Sequence, residues 1–180
     1  KQILEDQKIG EKIRDGFKIS IVGDVNAGKS SLLNLLSKRE AAIVSEQEGT
    51  TRDVIETYLN IDGYPVILAD TAGIRNVKNK IEKEGIKRAI KKAKDADLTL
   101  IMVDASKKII NKDLKKLINE DCILVFNKSD LGKKIPKNEF KKNDQILISV
   151  KKNKNINRLI KLIKERLSKK FMKASNILVT

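Results

Sequence analysis

The chain of 180 residues contains no histidine, no tryptophan, a single cysteine and only 3% aromatic residues. Without histidine, a hydrolytic reaction must rely on carboxylates, metal ions and backbone dipoles, because no imidazole base or ligand exists. The lone Cys122 excludes an internal disulfide and a cysteine-based metal site, and its apolar neighbours predict a buried strand residue. The scarcity of aromatic rings argues against a platform that stacks single-stranded bases.

Long apolar runs are also missing. The longest strong run covers residues 98–103, whereas a membrane span needs roughly 18 apolar residues. The N-terminal segment has no signal-peptide pattern. We therefore expect a cytoplasmic protein without a membrane partner, and the initial Lys1 in place of methionine predicts a fragment.

The formal net charge of +15 is unevenly distributed. Residues 1–75 carry 10 basic and 12 acidic side chains, whereas residues 76–180 carry 29 basic and 12 acidic ones. A lysine-rich surface of this kind can bind RNA. The alternative is a solvated lysine face in a composition that is generally rich in lysine.

The stretch from Gly23 to Ser30 fits the pattern G-x-x-x-x-G-K-[ST]. An apolar strand pattern precedes it at 17–22 and a helical pattern follows it, as a phosphate-binding loop requires. Glycines allow the main chain to approach a polyphosphate closely. Lys29 is expected to reach the outer phosphates, and the Ser30 hydroxyl to bind Mg²⁺. A chance glycine-rich turn is the alternative.

Two further segments predict contacts to the terminal phosphate. Thr51, in a polar loop over 39–53, is a candidate for completing the Mg²⁺ shell. Asp70 ends a predicted strand before Thr71-Ala72-Gly73, which suits a carboxylate that holds Mg²⁺ through water and a Gly73 N–H that faces the phosphate. The next position is Ile74, where Ras-type GTPases have a water-orienting glutamine.

Asn127-Lys128-Ser129-Asp130 follows a buried strand pattern and predicts base selectivity. The Asp130 carboxylate can accept hydrogen bonds from N1–H and the exocyclic amine of guanine, a donor pair that adenine lacks. A surface turn is the alternative. Ser149, Val150 and Lys151 form a weaker candidate for a base-contacting loop.

Strands alternate with helices along the chain, with predicted strands at 17–22, 54–61, 64–69, 98–103, 122–126 and 145–148 and helices after Ser30, from Glu82, at 113–118 and at 155–170. This order predicts an α/β fold with a mostly parallel six-stranded sheet and helices on both faces. The Asp62-Gly63 turn predicts one antiparallel strand. The motifs then lie at strand C-termini, where such folds bind ligands.

Three stretches, 26–34, 49–53 and 70–75, resemble the G domain of the MnmE (TrmE) family of bacterial tRNA-modification GTPases, within the wider TrmE-Era-EngA-like group. The resemblance covers about residues 17–170. It implies a Ras-like P-loop GTPase fold that hydrolyses GTP to GDP and phosphate with Mg²⁺, stimulated by K⁺. The implied nucleotide contacts are Asn26, Ala27, Gly28, Lys29, Ser30, Ser31, Ser45, Glu46, Gln47, Glu48, Gly49, Thr50, Thr51, Asp70, Thr71, Ala72, Gly73, Asn127, Lys128, Asp130, Ser149, Val150 and Lys151.

The same resemblance assigns the remaining roles. Asn26 and Thr50 with backbone oxygens of Ser45 and Gln47 would bind K⁺, and Glu82 would position the attacking water, with Lys29 as the second catalytic residue. The alternative for Glu82 is an acidic side chain that merely favours a helix N-terminus. Val25 departs from the family, which usually has proline there.

The resemblance also implies a domain organisation. Residues 17–170 would be the G domain, and 1–16 and 171–180 would be remnants of a flanking helical domain, the first a lead-in helix. G domains would pair as homodimers, and the full-length protein would act with the flavoprotein MnmG on the wobble uridine of tRNA and not on DNA. Two alternatives stay open: a ribosome-assembly GTPase of the Era or Der type, and a nucleotide-gated RNA-binding module.

Overall fold

A computed structural model describes residues 16–39, 56–70, 93, 95–107, 112–132, 140 and 143–177. Six strands and three helices lie in these ranges. The strands are β1 (Phe17–Gly23), β2 (Glu56–Ile61), β3 (Tyr64–Asp70), β4 (Leu98–Asp104), β5 (Cys122–Asn127) and β6 (Asp144–Leu147). The helices are α1 (Lys29–Arg39), α2 (Lys112–Lys115) and α3 (Ile156–Ile177), and a 3₁₀ turn covers Ser129–Leu131.

The strands form one sheet in the order β2-β3-β1-β4-β5-β6. Among these strands, β2 and β3 pair antiparallel, and every other neighbouring pair is parallel. The β2–β3 turn has positive φ at Asp62 (53°) and Gly63 (93°), and the Gly63 N–H donates to Asn60 Oδ1 at 2.7 Å. The predicted mostly parallel six-stranded sheet with one antiparallel strand is confirmed.

Hydrophobic clusters cover both faces of the sheet. On one face, Leu32 and Leu36 of α1 and Leu159 and Ile163 of α3 pack against the strands. On the other face, Leu114 of α2 packs with side chains that include Ile101 and Phe126. Every residue of β4 and β5 is buried, as expected for central strands covered on both faces. Helices on both faces were predicted and are confirmed.

Element ends differ from the sequence prediction by a few residues. The last strand covers 144–147 rather than 145–148, although the Ile148 N–H still donates to the Phe126 carbonyl at 2.8 Å. The helix predicted to end at Lys170 continues to Ile177. The helix predicted over 113–118 ends at Lys115, after which Leu117 and Ile118 make turn bonds to carbonyls three residues back.

Several predicted features lie outside the described residues. They include the lead-in helix except for Gly16, the loop over 39–53 except for Arg39, the first two residues of the strand predicted at 54–61, and the helix from Glu82 except for Ala93. Within the described part of the chain, no helix is long and apolar enough to cross a membrane.

Candidate nucleotide-binding site

The predicted motifs meet at the C-terminal edge of the sheet. β1 ends at Gly23, and its Ile21 lies opposite Asp70 at the end of β3. On the other side, Asp104 at the end of β4 lies opposite Asn127 at the end of β5. Because all these strands are parallel, their carboxyl ends share one edge, which is where open α/β sheets bind ligands.

Two glycines in the phosphate-binding loop occupy positions that a side chain would not fit. A Cβ added at Gly23 would lie 2.3 Å from the Met102 carbonyl oxygen of β4. A Cβ added at Gly28, where φ is +98°, would lie 2.3 Å from Asn127 Nδ2. The loop can therefore pack this closely on β4 and β5 only with glycine at both positions.

Lys29 closes the loop from its helix end. Its Nζ donates to the carbonyl oxygens of Gly23 at 2.8 Å and Asp24 at 2.7 Å. α1 begins at Lys29 and has no acidic residue in its first turn, so the positive end of the helix dipole is not neutralised by its own sequence. A lysine and the positive end of the helix dipole at one place are the features of an anion-binding site.

Asn26, Ser30 and Ser31 are exposed at this rim. Asn26 adopts a left-handed backbone conformation with φ of 61°. This conformation is uncommon for residues other than glycine, but asparagine is one of the residues that tolerate it. The two serines lie in the first turn of α1. All three residues are exposed, and their predicted contacts to a nucleotide stay a prediction.

Asn127 joins the phosphate loop to the opposite side of the site. Its side chain is 4% exposed. The Nδ2 group donates to the Ala27 carbonyl at 2.9 Å, and the Oδ1 atom accepts from the Val150 N–H at 3.0 Å. One amide thus fixes the spacing between the two loops that would hold the phosphates and the base.

The Asp130 carboxylate is oriented by Ser149. The buried Ser149 hydroxyl donates to Asp130 Oδ1 at 2.5 Å and accepts from the Lys152 N–H at 3.1 Å. The hydrogen bond from Ser149 lowers the pKa of Asp130 below its usual range, and the charges of Lys151 and Lys152 add to this effect. Asp130 is therefore ionised and exposed, as a carboxylate that accepts guanine donors must be.

A second carboxylate, Asp104, was not identified from the sequence. It is 4% exposed, accepts from Lys128 Nζ at 2.6 Å, and accepts from the Ser106 N–H and hydroxyl at 2.9 and 2.6 Å. Burial by itself would raise the pKa of Asp104, but the bonds from Lys128 and Ser106 lower it overall. Its position at the end of an apolar strand is the signal in the sequence that would have identified it, and the structure adds that it lies level with Asn127.

The structure brings together the candidates of the phosphate loop and of the two base loops, while Lys151 is exposed beside Ser149. For Asp70 it fixes the backbone only. The described ranges contain no group of three or more histidine, cysteine or carboxylate side chains that could bind a metal. The remaining predicted site residues lie outside the described residues: Ser45, Glu46, Gln47, Glu48, Gly49, Thr50, Thr51, Thr71, Ala72, Gly73 and Glu82.

Comparison with known sequences identifies similar proteins. Residues 18–128 match the family model described as 50S ribosome-binding GTPase. The chain is 63% identical over 141 residues to the tRNA modification GTPase MnmE of Pelagibacter ubique, covering 78% of this chain and 32% of that protein. It is 47% identical over 171 residues to MnmE of Rickettsia bellii, covering 91% and 38%. The chain thus spans about a third of the length of these curated relatives.

A solved structure of a GTP-binding protein is similar to this chain. A crystal structure of Aquifex aeolicus Era bound to GDP and AlF₄⁻ superposes with a TM-score of 0.61 at 29% identity, covering 83% of this chain and 56% of that one. The family match includes the phosphate loop and extends through Asn127 and Lys128. The chain belongs to the 50S ribosome-binding GTPase family and is a GTP-hydrolysing domain similar to part of the tRNA modification GTPases MnmE.

Proposed function

We propose that this GTPase domain serves an enzyme that modifies the wobble uridine of tRNA. The 63% identity to a protein named as a tRNA modification GTPase supports the assignment to tRNA modification. The single structural observation that carries guanine selectivity is the Asp130 carboxylate, held by Ser149 at 2.5 Å beside the loop that Asn127 ties to Ala27. In the full-length protein, tRNA and the flavoprotein MnmG are the proposed partners, in the cytoplasm where tRNA is modified.

Mg²⁺ is the divalent cation that members of such families typically use with GTP. The proposed ligands are the Ser30 and Thr51 hydroxyls and, through water, the Asp70 carboxylate. The exposed Ser30 at the start of α1 fits this role, because its hydroxyl is accessible and Asp70 ends the neighbouring strand β3. Hydroxyl and carboxylate oxygens suit a hard cation. When bound, Mg²⁺ would neutralise charge on the β- and γ-phosphates.

Hydrolysis in this chain cannot use a glutamine after the Asp70 motif, because Ile74 occupies that position. We propose Glu82 as the residue that positions the attacking water and Lys29 as the residue that holds the outer phosphates. The bonds from Lys29 Nζ to the Gly23 and Asp24 carbonyls hold its ammonium across the loop. That position supports a phosphate role, since anions bound at the start of α1 would lie beside it.

K⁺ stimulation and pairing of two G domains complete the proposal. Asn26 is exposed on the rim of the phosphate loop at φ 61°, which supports a role in which its amide oxygen would bind a cation beside the phosphates. Thr50, Ser45 and Gln47 would supply the other oxygens. Oxygen ligands suit a hard monovalent cation, and K⁺ would supply charge stabilisation between the phosphates.

GTP turnover in KCl against NaCl at equal ionic strength tests this proposal, with Mg²⁺ present and protein concentration varied. We expect faster turnover in KCl, with a rate per molecule that rises with protein concentration. Asn26→Ala should bind GDP as the wild type does but lose the difference between KCl and NaCl. Equal turnover in both salts, in a chain that binds GTP, would contradict the role of Asn26.

Glu82→Ala is the second test. This variant should bind GTP normally and lose turnover, whereas Glu84→Ala, two residues away, is the matched control. Unchanged turnover in Glu82→Ala would assign Glu82 to the helix N-terminus instead.

A ribosome-assembly GTPase of the Era type is the second candidate, supported by the family description and the likeness to Era. The identity of 29% to Era against 63% to MnmE favours the first candidate. Sequencing the flanking gene decides between them, because an RNA-binding domain directly after this domain would favour the Era type.

A further inference from the structure

Asp104 and Lys128 form a partly buried ion pair in the candidate site that none of the roles above requires. Lys128 Nζ lies 2.6 Å from Asp104 Oδ2, and the Lys128 side chain is 31% exposed whereas that of Asp104 is 6% exposed. The other Asp104 oxygen accepts two bonds from Ser106. Asp104 thus accepts three hydrogen bonds, one at Oδ2 and two at Oδ1, which restrict its movement.

Lys128 is fixed at both ends. Its backbone has φ of 67° and ψ of 37°, a left-handed conformation that is unfavourable for lysine. The preceding Asn127 is anchored to Ala27 and Val150, and the following turn carries Asp130. At the other end Asp104 holds the ammonium. The four-carbon stem between these two points is therefore restrained, next to the turn that carries the predicted base acceptor Asp130.

A fixed lysine stem provides an apolar surface for a flat purine ring. A lysine that was free to rotate would lose side-chain entropy when a base packed on it. With its ammonium held by Asp104, Lys128 loses that freedom before the base arrives. The benefit is the same for any purine base, because the edge of the ring is recognised by Asp130 and not by Lys128.

We propose that Asp104 is a positioning residue for the guanine base: it orders the Lys128 stem as one wall of the base site and thereby raises nucleotide affinity without reading the base edge. This role rests on guanine-nucleotide binding at the same site. It differs from a merely structural ion pair, which would support folding but leave the affinity of the folded domain unchanged.

A double-mutant cycle on GDP affinity tests the proposal. Asp104→Asn keeps the shape and a Ser106 acceptor but removes the carboxylate, and Lys128→Met keeps an apolar stem but removes the ammonium. Each should weaken GDP binding about tenfold, and the double variant should bind GDP within about twofold of either single variant, because all three lose the same contact. Asp104→Ser is a second variant with the same expectation. Ser106→Ala, which keeps the ion pair, is the control.

Two readouts separate this role from a structural one. Inosine diphosphate lacks the 2-amino group, so Asp104→Asn should weaken its binding by the same factor as GDP binding. GTP hydrolysis should show a raised KM with kcat unchanged. Three outcomes would overturn the proposal. The first is a double variant in which the two single effects on GDP affinity multiply. The others are a changed ratio of GDP to inosine diphosphate affinity, and a folded Asp104→Asn variant that binds GDP with wild-type affinity. Absence of GDP binding by the wild type would instead refute nucleotide binding at this site.

Discussion

Replacing Asn127 with alanine should separate the two loops of the nucleotide site. The substitution removes the amide that donates to the Ala27 carbonyl at 2.9 Å and accepts from the Val150 N–H at 3.0 Å. Ala27 is fully buried and Asn127 is 4% exposed, so water reaches the vacated position poorly. Both backbone partners then lose their hydrogen bonds, and the fixed spacing between the loops is lost with them.

The expected cost follows from those two orphaned groups. A buried donor or acceptor without a partner costs about 1–3 kcal/mol. Because Val150 is only partly buried, the lower end of that range applies to its N–H, so Asn127→Ala should lower the free energy of unfolding by about 2–4 kcal/mol. For a domain of this size, about 1 kcal/mol corresponds to about 2–4 °C in the unfolding midpoint, which gives a fall of about 4–16 °C. GDP affinity should fall as well, because nucleotide binding must then order both loops.

Thermal unfolding with and without GDP measures both effects. Asn143→Ala is the matched control, because its amide also donates to a backbone carbonyl, that of Asn119 at 2.6 Å, but in an exposed position. We expect the control to change stability by no more than about 0.5 kcal/mol. If Asn127→Ala lost no more stability than Asn143→Ala and bound GDP as the wild type does, the inference that Asn127 couples the loops would be refuted.

Three further predictions follow from other groups. Hydrogen bonds lower the pKa of Asp104 below its ordinary 3.8, so the ionised carboxylate stabilises the fold above pH 3.8 and this stabilisation is lost as the pH falls further. The stability of Asp104→Asn should therefore depend less steeply on pH below about 4 than that of the wild type, as acid unfolding would show. Burial raises the pKa of the Cys122 thiol, which donates to the Leu117 carbonyl at 3.1 Å. A thiol reagent should therefore modify Cys122 slowly in the native protein and rapidly in denaturant. Fast labelling of the native protein would contradict the burial of Cys122. The Asp130→Asn side chain presents one donor and one acceptor where guanine needs two acceptors. The affinity for GDP should therefore fall about 10- to 100-fold, while the affinity for xanthosine diphosphate rises. Competition binding would measure both changes.

Short-range patterns determined the architecture of this protein. Alternating and continuous apolar runs identified all six strands, because hydrophobic residues in such runs must be buried on one face or two. The phosphate loop was identified from Gly23 and Gly28, followed by a lysine and a serine. Glycines at these positions let the backbone wrap closely around phosphates. The sequence determined the ends of the elements less well. The helix α3 continues beyond Lys170 to Ile177, because this stretch contains no glycine or proline that would end it.

Contacts between distant parts of the chain were decided only by the tertiary structure. The sequence placed Asn127 in a base-recognition motif, but its bonds to Ala27 and Val150 depend on the order of β1, β5 and β6 in the sheet. The role of Asp104 likewise depends on a register that places it opposite Asn127 and within reach of Lys128. Local sequence determines which residues can form strands and bind phosphate, whereas the spatial order of the strands determines which side chains meet, because hydrogen bonds form between groups close in space and not in sequence.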